Sequence, residues 1–230
     1  MKITYHGHSC FELEDGPHRL VIDPFLSGNE TADIAPSDLK VQYILLTHGH
    51  FDHVGDTAEI AKQNDAVVIA PFELATYLEW QGLKTHPLQM GGGFDFPFGR
   101  VKLTHAFHGS GLMFPERQQI LYLGNPAGMI LQMGGKTIYH AGDTGLFGDM
   151  KTVIGERHSI DLAMLPIGDN FTMGPDDALQ AAEWIGAKMV LPMHFNTFPV
   201  IRQDAAQFVA ALQSKGIEGR AMRPGDRLEL

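Results

Sequence analysis

The chain has 230 residues, 44% of them hydrophobic and 19% charged, an ordinary globular balance and long enough for one large domain with a substantial core. Lys plus Arg total 17 against 27 Asp plus Glu, a formal charge of −10 with no basic cluster, so phosphate backbones are repelled and nucleic acid is excluded as an expected partner. No apolar run approaches the roughly 20 residues that span a bilayer, the N-terminus shows no signal peptide, and the single Cys10 cannot pair within the chain, so no membrane and a reducing cytoplasm are expected.

The predicted elements begin with strands. "KITYHGHSCFELE" and "HRLVIDPF" are separated by the turn signal "DGP". "VQYILLT" is a continuous apolar run, the pattern of a strand buried on both faces. "DTAEIAKQN" reads as a short helix with Asp56 as cap and Glu59 completing a capping box. "AVVIAP" is another buried strand, and "FELATYLEWQG" a helix stopped by Gly82. Further on, "RVKLTHAFH" is a strand and "GMILQMGGKTIYHAGD" a hairpin turned at Gly134-Gly135. The segment 108–127 lacks periodicity and reads as a loop able to cover a site. "DLAMLPIG" and "KMVLPMH" are buried strands around the helix "GPDDALQAAEWIGA". "DAAQFVAALQSKG" is a helix capped by Asp204 and stopped by Gly216, and "DRLEL" a last strand. The expected class is α+β: one domain over 1–230, two mixed sheets face to face with helices outside. "ITYHGHS" with "LTHAFHGS", and "LVIDP" with "TIYHAGD", suggest two pseudo-repeat halves, about 1–92 and 93–230.

Twelve histidines are many for this length, and four chemistry-bearing groups crowd into "THGHFDH": His48, His50, Asp52 and His53. Imidazoles repel once protonated and gain nothing by crowding unless a cation holds them. Imidazole and carboxylate suit zinc and other borderline divalent ions. A solvated polar loop with Asp52 as a mere cap is the bland alternative. His105 and His108 face opposite sides of an extended strand, so one of the two should point at a site and the other lie in the core or behind a ligand.

"THGHFDHVGD" resembles the T-H-x-H-x-D-H signature of the metallo-β-lactamase superfamily. His108 in "AFHGS", Asp143 in "HAGDTG" and His194 in "LPMHFNT" look like its later motifs, in order. In detail "YHGHS", "IDPF" and "PIGDNFTMGP" resemble a small bacterial and archaeal family of metal-dependent hydrolases, similar to the lactonase that opens ascorbate 6-phosphate. The resemblance implies a four-layer αββα sandwich with metals at one edge. It implies one metal on His48, His50 and His108, another on Asp52, His53 and His194, and Asp143 as bridge. Two divalent ions are expected, Zn²⁺ first, with Mn²⁺, Ni²⁺ or Fe²⁺ as alternatives. A bridging hydroxide, oriented by Asp52, would attack an ester, lactone or phosphodiester of a small molecule. His8 and Asp23 would line the site or hydrogen-bond a ligand, though both could be structural. Asn170 and Asn196 would orient substrate or stabilise an oxyanion, though Asn also favours loops. Met and Phe residues of 108–114 and 171–173 would form an apolar mouth or fill the core. The rival function is a non-hydrolytic metalloprotein, either redox di-iron or metal-binding without catalysis. Di-iron relatives carry an acid where this chain has His50. A homo-oligomer is left open.

Overall fold

The computed structural model describes all 230 residues. In chain order the strands are β1 Lys2–Gly7, β2 Cys10–Asp15, β3 His18–Ile22, β4 Tyr43–Leu45, β5 Val67–Pro71, β6 Lys84–Leu88, β7 Gly93–Phe96, β8 Gly99–His105, β9 Gly111–Phe114, β10 Gln119–Tyr122, β11 Ala127–Met133, β12 Lys136–His140, β13 Leu162–Pro166, β14 Met189–Met193, β15 Glu218–Gly219 and β16 Arg227–Glu229. The helices are α1 Phe51–Val54, α2 Thr57–Asn64, α3 Phe72–Trp80, α4 Pro175–Ile185 and α5 Ala205–Ser214, with a π-helical stretch at Met150–Gly155. No helix is long and apolar enough to cross a membrane.

Two seven-stranded mixed sheets form the body. The first runs β16-β1-β2-β3-β4-β5-β6 and the second β15-β14-β13-β12-β11-β8-β7. In the first, three antiparallel pairings lead to three parallel ones at β3-β4-β5-β6. The second repeats the succession, antiparallel from β7 to β12 and parallel from β12 to β15. The expected pair of mixed sheets with outer helices is therefore observed.

Side-chain alternation explains the layers. Leu20 and Ile22 of β3 enter the core between the sheets, while Val21 points outward to the cluster under α2 and α3. β4 and β5 do the same with Leu45 and Ile69 against Ile44 and Val68. Covered on both faces, these strands read as unbroken apolar runs. The second sheet buries its outer face beneath α4 and α5, through Ala178, Ala182 and Phe208.

Local signals fail where distant contacts compete. Asp56 precedes α2, but its side chain makes no cap; its Oδ2 accepts from the backbone N–H of Leu26 and Ser27 instead. The expected capping box is absent. Asp204 does cap α5, accepting from Ala206 N and Gln207 N at 2.9 and 3.0 Å. Segment 108–127 is not a plain loop: it contains the antiparallel hairpin of β9 and β10. β6 and β7, unforeseen from their sequences, each form one edge of a sheet, opposite β16 and β15.

The sheets are pinned together at one edge by hydrogen bonds between their strand ends. His194 N donates to the His8 carbonyl (2.8 Å), Ala127 N to the Thr47 carbonyl (3.0 Å) and His140 Nε2 to the Ser9 carbonyl (3.2 Å). Gly142 lies at this seam with φ +62°, and a Cβ there would sit 2.5 Å from the Ala127 carbonyl oxygen and 3.1 Å from Thr47 Cβ. Gly142→Ala should therefore cost about 1–3 kcal/mol, read as a lowered midpoint in urea denaturation. An unchanged midpoint would show that the seam yields without cost.

Candidate metal centre

At the pinned edge, strand ends from both sheets deliver side chains to one point. Leaving β4, Thr47 and His48 are fully buried and lead through Gly49 and His50 into α1, which carries Asp52 and His53. His108 follows β8, Asp143 follows β12, and His194 follows β14 directly. His8 follows β1, and Asp23 follows β3. His8, Asp23 and His194 have φ of 55°, 45° and 54°, left-handed values that are uncommon in residues with a Cβ and that here turn each side chain toward the edge.

The donors fall into three overlapping groups: His48, His50 and His108; His48, His53 and Asp143; and His8, Asp52, His53 and His194. His50 Nδ1 lies 3.0 Å from His48 Nε2 and 3.1 Å from His108 Nε2. Asp143 meets His53 Nε2 at 3.2 Å, His194 Nε2 at 2.9 Å and His108 Nε2 at 3.5 Å. His194 Nε2 is also 3.7 Å from Asp52 Oδ2. A tetrahedral zinc with ligand bonds of 2.0–2.1 Å has donors about 3.3 Å apart, so these spacings fit such a centre. Buried His53 Nε2, Asp143 Oδ1 and His194 Nε2 complete no hydrogen bond despite their closeness. Buried polar atoms left in that state are costly unless a cation takes them. The donor set therefore fits divalent metal.

Hydrogen bonds behind the donors fix which nitrogen each imidazole offers. Asp23 accepts from Thr47 N (2.9 Å), Thr47 Oγ1 (2.6 Å) and His53 Nδ1 (2.7 Å). Thr47 has spent its hydroxyl proton on Asp23, so it accepts from His48 Nδ1 (2.9 Å). Both His48 and His53 thus present Nε2 to the centre. His8 Nε2 lies 3.1 Å from Asp52 Oδ2 and its Nδ1 2.9 Å from Thr197 Oγ1. A carboxylate only accepts, so His8 donates through Nε2 and accepts from Thr197. This makes His8 the support of Asp52.

Protonation follows the same geometry. Burial pushes His8 down to about 4, helped by repulsion from His194, so it stays neutral. Burial and the neighbouring His53 lower His48, and burial also lowers His50 and His108. Burial opposes charge on His53 and His194 as well, but Asp143 outweighs it, helped by Asp23 for His53 and by Asp52 for His194. His53 is held well above its ordinary range and His194 rises to about 9. Burial would raise the two acids, yet His194 with His8 holds Asp52 low, and His194 with His53 holds Asp143 low.

Other candidates lie elsewhere. His105 is exposed and neither packs in the core nor supports a ligand. His140 is buried and hydrogen-bonded at the seam. Asn170 and Asn196 are exposed and do not line the cavity above the donors; the Asn196 Oδ1 accepts from Gln203 N within its own loop. Phe171, Phe198 and Val200 stand there instead. Thr47 and Thr197 were missed as supports because a hydroxyl beside a histidine is no signal without the fold.

Two outcomes follow. The metal-free site holds protons on His53 and His194, which metal must expel, so zinc uptake near neutral pH should release protons and its affinity should climb as pH rises toward about 9. Calorimetric titrations in buffers of different ionisation enthalpy read this directly; proton-neutral binding would contradict it. Asp23→Asn should weaken metal affinity about 10–100-fold by loosening His53 and Thr47, measured by competition with a chelating dye; wild-type affinity would remove Asp23 from the support.

The comparisons agree with this geometry. A family model described as "Beta-lactamase superfamily domain" matches residues 18–195. A relative from Geobacillus sp. (strain WCH70), a UPF0173 metal-dependent hydrolase, is 62% identical over 230 residues, covering 100% of both chains. Igni18, a metallo hydrolase from the archaeon Ignicoccus hospitalis, superposes with a TM-score of 0.89 at 34% identity over 100% of this chain and 98% of that one. The isothiocyanate hydrolase from Delia radicum gut bacteria shares the fold at 21% identity, with a TM-score of 0.77 over 100% and 99%. The chain belongs to the β-lactamase superfamily, among its UPF0173 metal-dependent hydrolases.

Proposed function

We propose that the protein is a dinuclear hydrolase acting on an ester, lactone or phosphodiester of a small molecule. The observation that carries the reading is the convergence, beneath an open cavity, of two groups of imidazole and carboxylate donors with Asp143 within 3.5 Å of His53, His108 and His194. His48, His50 and His108 would hold one ion, Asp52, His53 and His194 the other, and Asp143 would serve both; Zn²⁺ suits this imidazole-carboxylate set. When bound, such a pair polarises a substrate oxygen and lowers the pKa of water toward neutrality.

The chain's own contribution is placement and charge. Asp143 supplies the negative charge that lets two dications sit close together. Asp52 is held by His8 through the 3.1 Å contact, and faces the cavity, where it can orient the attacking water and accept a hydrogen bond from it. Asp23 and Thr47 keep His48 and His53 in the tautomers that offer Nε2.

Metal-replete protein should contain about two ions per chain and turn over members of an ester, lactone and phosphodiester panel. Asp143→Asn keeps size but loses the charge, so it should retain at most one tight ion and lose activity by orders of magnitude. Elemental analysis and steady-state rates of both proteins test this. Two ions and near-normal turnover in Asp143→Asn would sink the bridging role, and a metal-replete wild type inert on the whole panel would sink the hydrolytic one.

A further inference from the structure

The cavity over the donors has a volume of about 370 Å³. Its floor is His50, Asp52, His108, Asp143 and His194. Above them the walls are Phe51, Met113, Phe171, Phe198 and Val200, together with Gly111. None of the 17 Lys and Arg residues lines it. Hydroxyls on the surrounding loops are already engaged: Ser110 with Gly49 N, Thr144 with Phe107 N and the Gly145 carbonyl, and Thr197 with His8.

The wall residues come from separate elements and still meet. Phe51 starts α1, Met113 is on β9, Phe171 follows β13, and Phe198 and Val200 follow β14. Phe51, Met113, Phe171 and Val200 are each 51–59% exposed. Single exposed apolar residues are ordinary, but several converging on one cavity above polar donors mark a binding site. One wall is also fixed in place. Buried Phe25 packs edge-on against Phe51 at 5.8 Å and lies 6.3 Å from Phe198, which meets the His8 ring at 5.6 Å.

From this we infer that the cavity takes an uncharged, apolar carboxylic ester or lactone, with no charged group away from the reacting bond. The inference rests on the hydrolytic reading and narrows it. A negative group can be met only at the floor, where the scissile bond must sit. A remote phosphate or carboxylate would enter an apolar wall with no cation or free hydroxyl to receive it, in a chain of net charge −10. An alkyl or aryl tail, by contrast, covers Met113, Phe171 and Val200 and gains by every methylene it buries. In the reaction the acyl C–O bond breaks; water gives its oxygen to the acyl carbon and a proton to the leaving oxygen, so acid and alcohol balance ester plus water.

The test uses the full chain loaded with Zn²⁺. From p-nitrophenyl acetate to hexanoate, kcat/KM should rise about fourfold per methylene. Methyl octanoate should be preferred at least tenfold over the monomethyl ester of octanedioic acid, which differs in a remote carboxylate. Phe171→Ser with Val200→Ser should flatten the rise to under twofold per methylene at unchanged metal content, while Phe171→Leu with Val200→Ile keeps it. A flat series in the wild type, or preference for the remote carboxylate, overturns the inference. If a phosphodiester is hydrolysed but no carboxylic ester or lactone, the inference is overturned; if the whole panel is inert, the hydrolytic reading fails separately, and calorimetry then decides: octanoate binding at least tenfold more tightly than acetate and than octanedioate upholds the apolar cavity, and equal or reversed affinities overturn it.

Discussion

A carboxylate with 2% of its surface exposed stands where the two sheets meet, and its charge has to be compensated from both sides. His53 reaches Asp143 from the first sheet and His194 from the second. This is why strand ends must be held in register across the sandwich, and the backbone bonds from His194 to His8 and from Ala127 to Thr47 do that at the point of need. The parallel strands β3, β4 and β5, and β12, β13 and β14, aim their C-terminal ends at this edge, where loops are free to carry chemistry.

Behind the donors the arrangement is layered. Asp23 is fully buried and gathers Thr47 and His53; through Thr47 it also governs His48. Removing one hydroxyl or one carboxylate there would leave imidazoles free to rotate or change tautomer. Above the donors the chemistry changes abruptly from charge to hydrocarbon. Apolar walls beside a polar floor lower the local dielectric and so strengthen electrostatic interactions at the floor.

The candidate donors were legible in the sequence because six consecutive positions, from the end of β4 into α1, put His48, His50, Asp52 and His53 in one local motif whose spacing carries its own meaning. His108, Asp143 and His194 were legible through the resemblance, each at the end of an apolar run. What escaped depended on distant partners. Asp56 looks like a helix cap, yet Leu26 and Ser27 claim its carboxylate from a loop 29 and 30 residues away in sequence. The hairpin of β9 and β10 escaped because Ile120, Leu121 and Tyr122 are all exposed, so no face alternates. β6 contains Pro87 and a mixed pattern, and only pairing with β5 makes it a strand. Asn170 and Asn196 sit in the right loops but do not line the cavity, which Phe171 and Phe198 reach one and two residues further on, a difference that no pattern of polarity resolves.

The left-handed backbone at His8, Asp23 and His194 has a consequence for metal supply. These conformations are imposed by contacts the chain makes with itself, such as Thr47 with Asp23 and His194 N with the His8 carbonyl. The donor cage is therefore held in shape in part by contacts within the polypeptide. Which first-row ion fills such a cage depends on its geometry, its ligand types and the supply of each ion, since affinity alone ranks these ions the same way in most proteins. The ion recovered from the protein would then mirror the trace-element diet of the cell that made it, and a change of growth medium could change the enzyme without changing a single residue.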